Sequence, residues 1–92
     1  MIGGFRDRRT EAFFSGYPVP AFRAVARQAV RRMTILDHAS SLRELRALPS
    51  NRLEALSGDR AGEYSIRINR QWRICFRWGE DGPYDVEIVD YH

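Results

Sequence analysis

The sequence has no lysine, a single cysteine and no long apolar run. All 15 basic residues are arginine, and no group of cysteines and histidines has the spacing of a zinc site. Cys75 cannot close an internal disulfide, so the fold must be held by burial and suits the reducing cytoplasm. The first nine residues become charged before any apolar stretch develops, and no run approaches membrane-spanning length. We therefore expect a cytoplasmic protein with no signal peptide, membrane anchor or metal site.

The chain is short, and its charge is unevenly distributed. Its 92 residues, 43% hydrophobic and 29% charged, suffice for one modest core, so we expect a single domain over residues 1–92. Residues 1–73 hold 14 arginines against 7 carboxylates, a charge of +7, whereas residues 74–92 hold 1 against 5, a charge of −4. Arginine keeps its charge at any working pH and matches phosphate oxygens. The arginine bias therefore reflects either genomic composition or selection for a phosphate ligand.

Two short helices are predicted from capping residues in the first half of the chain. Asp7 can accept a hydrogen bond at the start of a helix that runs to about Ser15. Ser41 is followed three residues later by Glu44, which is the form of a capping box, so a further helix should run to about Ala47. Both segments precede the region where the pattern changes from helical spacing to strand alternation.

Between them, a longer helix is predicted to begin at Pro20, a residue that suits a first helical turn. Its apolar residues recur at helical spacing and must cover something apolar. They are Phe22, Val25, Ala26, Ala29, Val30, Met33 and Leu36. Another side of this helix carries Arg23, Arg27 and Arg31, which form either a solvated face or a contact with RNA or a partner.

The second half of the chain alternates as strands do. We predict strands over 52–56, 63–68, 72–78 and 84–89, with a weaker strand over 1–5. If the apolar residues of neighbouring strands must share one face, Ile66 pairs with Ile74 across a three-residue turn. A five-residue turn over 79–83 then pairs Ile74 with Ile88 and Phe76 with Val86. The predicted architecture is α+β, with two to three N-terminal helices packed on one face of a twisted antiparallel sheet of about four strands.

The opposite face of this sheet is polar. The same register places Arg67 opposite Arg73, two like charges that cost stability when they face each other. It also places Arg77 opposite Asp85, which predicts a cross-strand ion pair. Two guanidinium groups that converge on an open strand surface can neutralise a phosphodiester and the charge that develops during its transfer. The pair is either such a phosphate site or an ordinary part of the surface.

The chain closes on Asp90, Tyr91 and His92, three groups able to move protons. Strand alternation places Tyr91 on the polar face, near the arginine pair. Cleavage of RNA without a metal needs a base for the ribose 2′-hydroxyl, cations for the phosphorane and an acid for the departing 5′-oxygen. These three residues, with Arg67 and Arg73, could supply all of them, and a frayed terminus is the alternative.

A resemblance to a known family is carried by four segments of the sequence. They are RLEALSGDR at 52–60, YSIRIN at 64–69, QWRICFRW at 71–78 and DYH at 90–92. In residue type and in spacing they resemble the HigB branch of the RelE-like toxins. Met1, Ile2, Phe5 and the chain length agree as well, so the resemblance spans essentially the whole sequence.

The resemblance implies a toxin of a type II toxin–antitoxin pair, an endoribonuclease that enters the ribosomal A site and cuts mRNA there without a metal or cofactor. The implied fold is RelE-like, similar to that of microbial ribonucleases. Arg73 would stabilise the scissile phosphate, and Asp90, Tyr91 and His92 would form the terminal catalytic group, with base and acid unassigned. Further contacts to RNA would come from Arg60, Arg67 and Arg70. The implied partners are the ribosome, mRNA and a HigA-like helix-turn-helix antitoxin, with operator DNA bound through the antitoxin complex.

Two positions depart from the family pattern. Many relatives have a lysine where this chain has Ser57, and some have a histidine where it has Glu54. A cationic role in that turn would pass to Arg60 or Arg67. The alternative function is therefore a catalytically weak, toxin-like binding protein that acts through its antitoxin complex at operator DNA or by occupying the ribosome. A nuclease active on naked RNA is disfavoured, because the site lacks a pair of neighbouring histidines.

Overall fold

A computed structural model describes residues 1–90, and its first helix, α1, spans Arg8–Phe14. As predicted, Asp7 caps this helix: its Oδ1 accepts a hydrogen bond of 2.8 Å from the backbone N–H of Thr10. Thr10 is fully buried, and its hydroxyl oxygen accepts a hydrogen bond of 3.1 Å from the backbone N–H of Ile88. This bond fastens α1 to the last strand of the sheet.

The second predicted helix is only partly α-helical. Pro20–Val25 forms a 3-10 helix, and the α-helix α2 spans Ala26–His38. Val25 has a φ of −119° and a ψ of 10°, outside the α region, so the two segments are distinct. Over six residues, apolar side chains three and four positions apart fit either type of helix, and Pro20 suits the start of both. The spacing alone therefore predicted one continuous α-helix.

The third helix, α3, spans Leu42–Ala47 and has the predicted cap. Ser41 Oγ accepts a hydrogen bond of 3.1 Å from the backbone N–H of Glu44. The Glu44 carboxylate accepts one of 3.4 Å from the backbone N–H of Ser40, one residue earlier than in a regular capping box. A 3-10 turn over Pro49–Asn51 then leads into the sheet.

Four antiparallel strands form one sheet in the order of the chain. They are β1 (Glu54–Ala55), β2 (Tyr64–Arg67), β3 (Trp72–Gly79) and β4 (Gly82–Asp90). The predicted strand at the amino terminus is not a full strand. A single parallel bridge joins Phe5 to Val86, and Gly3 donates a backbone hydrogen bond of 2.8 Å to Pro83. This segment follows β4 without a continuous ladder, in line with the weak strand propensity of its two glycines.

The register between β2 and β3 is the predicted one. Ile66 faces Ile74, and Arg67 faces Arg73. The pairing of Ile74 with Ile88 across β3 and β4 is confirmed as well. Matching the apolar faces was sufficient here, because a slip of one residue would have exposed each of these isoleucines.

The far end of the β3–β4 hairpin differs from the prediction. The register shifts by one residue between Cys75 and Arg77, so Arg77 faces Tyr84 rather than Asp85. Asp85 has a φ of +50°, and the extra residue at this bulge lets a tight turn close the hairpin between Gly79 and Gly82. Arg77 Nε still lies 3.7 Å from Asp85 Oδ2, so the predicted ion pair forms despite the wrong register.

The helices pack on one face of the sheet. The Phe22 ring meets the Trp72 ring edge to face at a centroid distance of 5.8 Å. The buried core joins Phe13, Phe22, Ala29, Met33, Leu36 and Leu45 to Ile66, Ile74, Phe76, Val86 and Ile88. The predicted α+β architecture is confirmed, and it leaves the second face of the sheet for polar side chains. None of the helices within residues 1–90 has the length and apolar character needed to cross a membrane.

Candidate active site

Arg73 lies on the polar face of β3 and is held by neighbours from three segments. Its Nε donates a hydrogen bond of 2.8 Å to Ser65 Oγ, and its Nη2 donates one of 2.6 Å to the carbonyl oxygen of Arg52. The same Nη2 lies 3.5 Å from Glu54 Oε1. Only 8% of Arg73 is exposed, so its guanidinium has a fixed position. Glu54 therefore offsets part of the repulsion between Arg67 and Arg73.

Arg73 forms the floor of an open cleft of about 380 Å³ at one end of the sheet. Its lining residues are Arg52, Glu54, Arg67, Asn69, Arg70 and Arg73. Four arginines against one glutamate make this lining strongly positive. Of the predicted RNA-binding residues, Arg67 and Arg70 lie here together with the predicted phosphate ligand Arg73. Convergent guanidinium groups of this kind bind phosphate oxygens through short, charge-assisted hydrogen bonds.

The turn between β2 and β3 positions one side of the cleft. Asn69 Oδ1 accepts hydrogen bonds of 2.9 Å from the backbone N–H of Gln71 and 2.8 Å from that of Trp72. An asparagine that bonds the backbone two and three residues ahead stabilises a tight turn. Arg70 therefore stands exposed at the tip of a well-ordered turn, beside the floor residue Arg73.

Arg60, the third predicted RNA-binding residue, lies outside the Arg73 cleft and is engaged by two carboxylates. Its Nη1 is 3.0 Å from Glu63 Oε1, and its Nη2 is 3.2 Å from Glu87 Oε1. Arg6 joins the same network, with its Nη2 3.3 Å from Glu63 Oε2. Glu63 is only 2% exposed, so this network holds a nearly buried carboxylate in place. The geometry gives Arg60 a structural role that the sequence did not reveal.

Cys75 lies on the polar face, opposite Ser65, and is fully buried. Burial raises the pKa of its thiol from 9.0 to about 11, and the nearby Arg60 guanidinium lowers it only in part. The thiol is therefore neutral at working pH and is not a nucleophile.

Asp90 stands at the end of β4, where it pairs with Trp72. Its Oδ2 accepts a hydrogen bond of 3.1 Å from Gln71 Nε2, so its carboxylate contacts the turn that carries Arg70. Strand alternation places Asp90 on the same side of the sheet as Ile88, whereas Arg73 points to the other side. The structure thus brings Asp90 to the β2–β3 turn, next to the cleft. The predicted catalytic residues Tyr91 and His92 lie outside the described residues.

Sequence reasoning missed two features of the cleft. Glu54, which is 58% exposed, enters through the pairing of β1 with β2, where it faces Ser65. The carbonyl oxygen of Arg52 enters through a left-handed backbone conformation, with a φ of +45°. Extending the apolar-face argument to the predicted strand over 52–56 could have placed Glu54 on the polar face. Nothing in the sequence marks the φ of Arg52. Within residues 1–90, no three His, Cys, Asp or Glu side chains are grouped as metal ligands.

The comparison with protein families agrees with this arrangement. One family model, described as "RelE-like toxin of type II toxin-antitoxin system HigB", matches residues 4–92, nearly the entire chain. The chain belongs to this HigB toxin family. The family resemblance expected from segments 52–60, 64–69, 71–78 and 90–92 is thereby confirmed.

Two curated relatives support the assignment. The chain is 35% identical to Toxin HigB-1 of Vibrio cholerae over 92 residues, which cover 96% of this chain and 94% of that protein. It is 34% identical to Endoribonuclease HigB of Proteus vulgaris over 61 residues, which cover 66% of this chain and 65% of that protein.

Solved structures share the fold of this HigB-family toxin at low sequence identity. The YoeB–YefM complex from Staphylococcus aureus matches with a TM-score of 0.59 and 16% identity over 100% of this chain and 98% of the other. The YoeB/ParE toxin from Agrobacterium tumefaciens matches with a TM-score of 0.54 and 20% identity over 99% and 96%. At these identities the likeness confirms the RelE-like fold alone.

Proposed function

We propose that this toxin is a metal-independent endoribonuclease that cuts mRNA in the ribosomal A site and so stops translation in the cytoplasm. The observation that carries the proposal is the cleft in which a fixed Arg73 is flanked by Arg67 and Arg70. Three guanidinium groups can neutralise a phosphodiester and the extra charge of its transition state. The name of the relative Endoribonuclease HigB agrees with this chemistry.

The reaction begins with a proton taken from the ribose 2′-hydroxyl by a base. The 2′-oxygen then attacks the adjacent phosphorus, the bond to the 5′-oxygen breaks, and an acid gives that oxygen a proton. Arg73 binds the non-bridging oxygens, because Ser65 and Arg52 already hold its guanidinium in place. A preorganised cation stabilises the phosphorane without reorganising during the reaction.

Glu54 is the described carboxylate best placed to act as the base. It lines the cleft, is 58% exposed, and lies 3.5 Å from the guanidinium that would hold the phosphate. A base must come within hydrogen-bond reach of the proton that it removes, and an exposed side chain on the cleft wall can do so. Tyr91 and His92 then supply the acid and orient the leaving group, and Asp90, through its hydrogen bond with Gln71, positions the turn that carries Arg70.

The open shape of the cleft supports dependence on the ribosome. Its six lining residues include no aromatic ring, and Asn69 is the only neutral one among them. Stacking on aromatic side chains is the usual way to hold single-stranded bases. The cleft therefore binds the phosphate backbone but has few groups that orient a nucleotide base. The decoding site of the ribosome would orient the nucleotide by holding the codon.

A type II toxin is controlled by an antitoxin, and we propose a HigA-like helix-turn-helix protein as the partner. The pair would bind operator DNA through the antitoxin. The matching YoeB toxin was solved in complex with YefM, which agrees with a protein partner for toxins of this fold.

One observation favours the second candidate function, a weak enzyme that acts by binding. Arg73 already donates hydrogen bonds to Ser65 and Arg52, so part of its hydrogen-bonding capacity is used within the protein. A toxin of this kind would arrest translation by occupying the ribosome, or act through its antitoxin complex at operator DNA, without cutting RNA.

The deciding experiment incubates the purified toxin with a defined mRNA, either naked or bound in ribosomes with an empty A site. We expect new 5′ ends at the A-site codon only with ribosomes. Arg67→Gln should slow this cleavage at least about tenfold, because a cation facing the phosphate is lost. The matched control Arg43→Gln, an exposed arginine on α3, should cleave like the parent. Inhibited translation with intact mRNA would establish the second candidate, and equal cleavage of naked RNA would refute ribosome dependence.

A further inference from the structure

A second basic concavity lies on α2, outside the cleft that contains Arg73. It is a groove of about 520 Å³ lined by Arg27, Gln28, Arg31, Arg32 and Ile68. We call it the α2 groove. The positions of Arg27 and Arg31, one helical turn apart, place both side chains on the same side of the helix.

The positive charge of the α2 groove is not neutralised within the part of the chain that the structure describes. Within residues 1–90, no carboxylate forms an ion pair with Arg27, Arg31 or Arg32. Other arginines do have a carboxylate partner, namely Arg6, Arg60, Arg73 and Arg77. Burial lowers the pKa of Arg32, and the neighbouring charge of Arg31 lowers it further. Three arginines thus face one groove at a cost in repulsion that an anionic ligand would relieve.

The protein also holds Arg32 in a defined position. Its Nη1 donates a hydrogen bond of 2.7 Å to Oδ1 of the fully buried Asn51. Asn51 Nδ2 in turn donates one of 2.9 Å to the carbonyl oxygen of Leu45. A neutral amide fixes the guanidinium without cancelling its charge, an arrangement suited to binding an anion.

We infer that the α2 groove binds an RNA phosphodiester backbone and forms a second contact beside the cleavage cleft. The inference rests on the proposed function and extends it with a binding surface for the same substrate class. The groove and the cleft meet at the end of β2: Ile68 lines the groove, and the flanking Arg67 and Asn69 line the cleft. Because Ile68 faces the helices and Arg67 faces the polar side, an RNA strand that contacts both sites passes around this end of the sheet.

The composition of the groove favours RNA over an acidic protein. Protein interfaces centre on buried apolar and aromatic anchors, whereas nucleic-acid interfaces are more polar and strongly positive. Here four of the five lining residues are arginine or glutamine, and Ile68 is itself 7% exposed. Arginine side chains spaced by one turn, a rise of about 6 Å, can contact successive phosphates of one strand.

The backbone could belong to the mRNA that leaves the cleft or to ribosomal RNA beside it. The test measures binding of the purified toxin to two probes that remain intact: a single-stranded 2′-O-methyl RNA, which lacks the attacking hydroxyl, and ribosomes without mRNA. The groove variant is Arg27→Gln with Arg31→Gln. The control variant, Arg43→Gln with Arg46→Gln, removes the same charge from exposed positions of α3, outside the groove. Equal thermal stability of the two variants shows that both fold.

We expect the groove variant to bind at least one probe about tenfold or more weakly than the control, with the slope of log affinity against log salt reduced by about 1.4 for the two lost phosphate contacts. Loss with both probes indicates a strand contact, and loss with ribosomes alone indicates ribosomal RNA. Equal binding by the two variants, or no binding of either probe by the parent, would overturn the inference. The proposed function fails separately, if the parent makes no new RNA ends.

Discussion

At the residue scale, Arg73 combines a structural and a proposed chemical role. The sequence-based register correctly placed it opposite Arg67, because the apolar residues on either side determine the pairing. The same reasoning did not find its partners, the Arg52 carbonyl and the Glu54 carboxylate, which come from a segment whose pairing was not predicted. Removal of Arg73 is therefore expected to affect the fold as well as the chemistry, since its loss leaves Ser65 without its hydrogen-bond donor.

Replacement of Arg73 by lysine separates these roles. Arg73→Lys keeps the charge but loses the planar fork that reaches Ser65 and Arg52 together, so we expect a loss of about 1–3 kcal/mol in the free energy of unfolding. The cleavage rate on programmed ribosomes should fall at least about 10²-fold. Arg77→Lys, on the same strand but beside Asp85, is the control and should retain the parent rate. A parent-like rate for Arg73→Lys would remove Arg73 from the mechanism.

The role of Glu54 as base gives a distinct expectation. Glu54→Gln preserves the shape of the side chain and removes an ion pair whose carboxylate is exposed. The free energy of unfolding should therefore change by less than about 1 kcal/mol. Loss of a general base slows a reaction by about 10²–10⁴-fold, and the single-turnover rate on programmed ribosomes measures this loss. A variant that keeps the rate of the parent would assign the base elsewhere.

The buried thiol of Cys75 is expected to make the free energy of unfolding depend on pH. Its pKa is about 11 in the folded chain against an ordinary 9.0, so between these values the folded state retains a proton that the unfolded state has lost. Its contribution to stability is therefore complete below pH 9, falls by up to about 1.4 kcal/mol per pH unit above it, and is lost near pH 11. Denaturant unfolding of the parent and of Cys75→Ala between pH 8 and 11 checks this, and equal slopes would contradict it.

At the scale of the elements, apolar spacing predicted the helices and the central strand pairs but missed features of the backbone itself. The capping residues Asp7 and Ser41 correctly located two helix starts, because a side-chain oxygen before a helix satisfies a free N–H. The bulge at Asp85 was missed, because a single left-handed residue leaves the alternation on either side intact. The 3-10 segment Pro20–Val25 was missed because, over six residues, the apolar spacing fits a 3-10 helix and an α-helix equally well.

The bond between α1 and β4 is the contact between elements that is simplest to test. Thr10→Val keeps the shape of a buried side chain but leaves the N–H of Ile88 without its acceptor, which should lower the free energy of unfolding by about 1–3 kcal/mol. Thr34→Val makes the same change at an exposed position of α2 and should alter stability by less than about 0.5 kcal/mol. Chemical denaturation measures both, and equal effects would show that the bond does not stabilise the packing of α1.

At the scale of the whole molecule, the fold separates arginines that pair with Glu63 and Glu87 from arginines that line the cleft and the α2 groove. Carboxylates Glu63 and Glu87 engage Arg6 and Arg60 in one network. The arginines of the cleft and the α2 groove are left largely unneutralised by the described chain. Net charge and its distribution along the chain predicted a basic body, but which arginines pair internally depends on tertiary contacts that bring Glu63 and Glu87 together. The sequence therefore did not show that Arg60, a predicted RNA contact, also pairs with Glu63 and Glu87.

The proposed cleavage of mRNA on the ribosome depends on Arg73 of this HigB-family toxin. It is tested by mapping newly formed mRNA 5′ ends in growing cells shortly after induction of the parent or of Arg73→Lys at matched protein levels. We expect new ends inside translated frames, at codons that occupy the A site, with the parent and not with the variant. Growth arrest by the parent without new ends, or the same ends with Arg73→Lys, would contradict it.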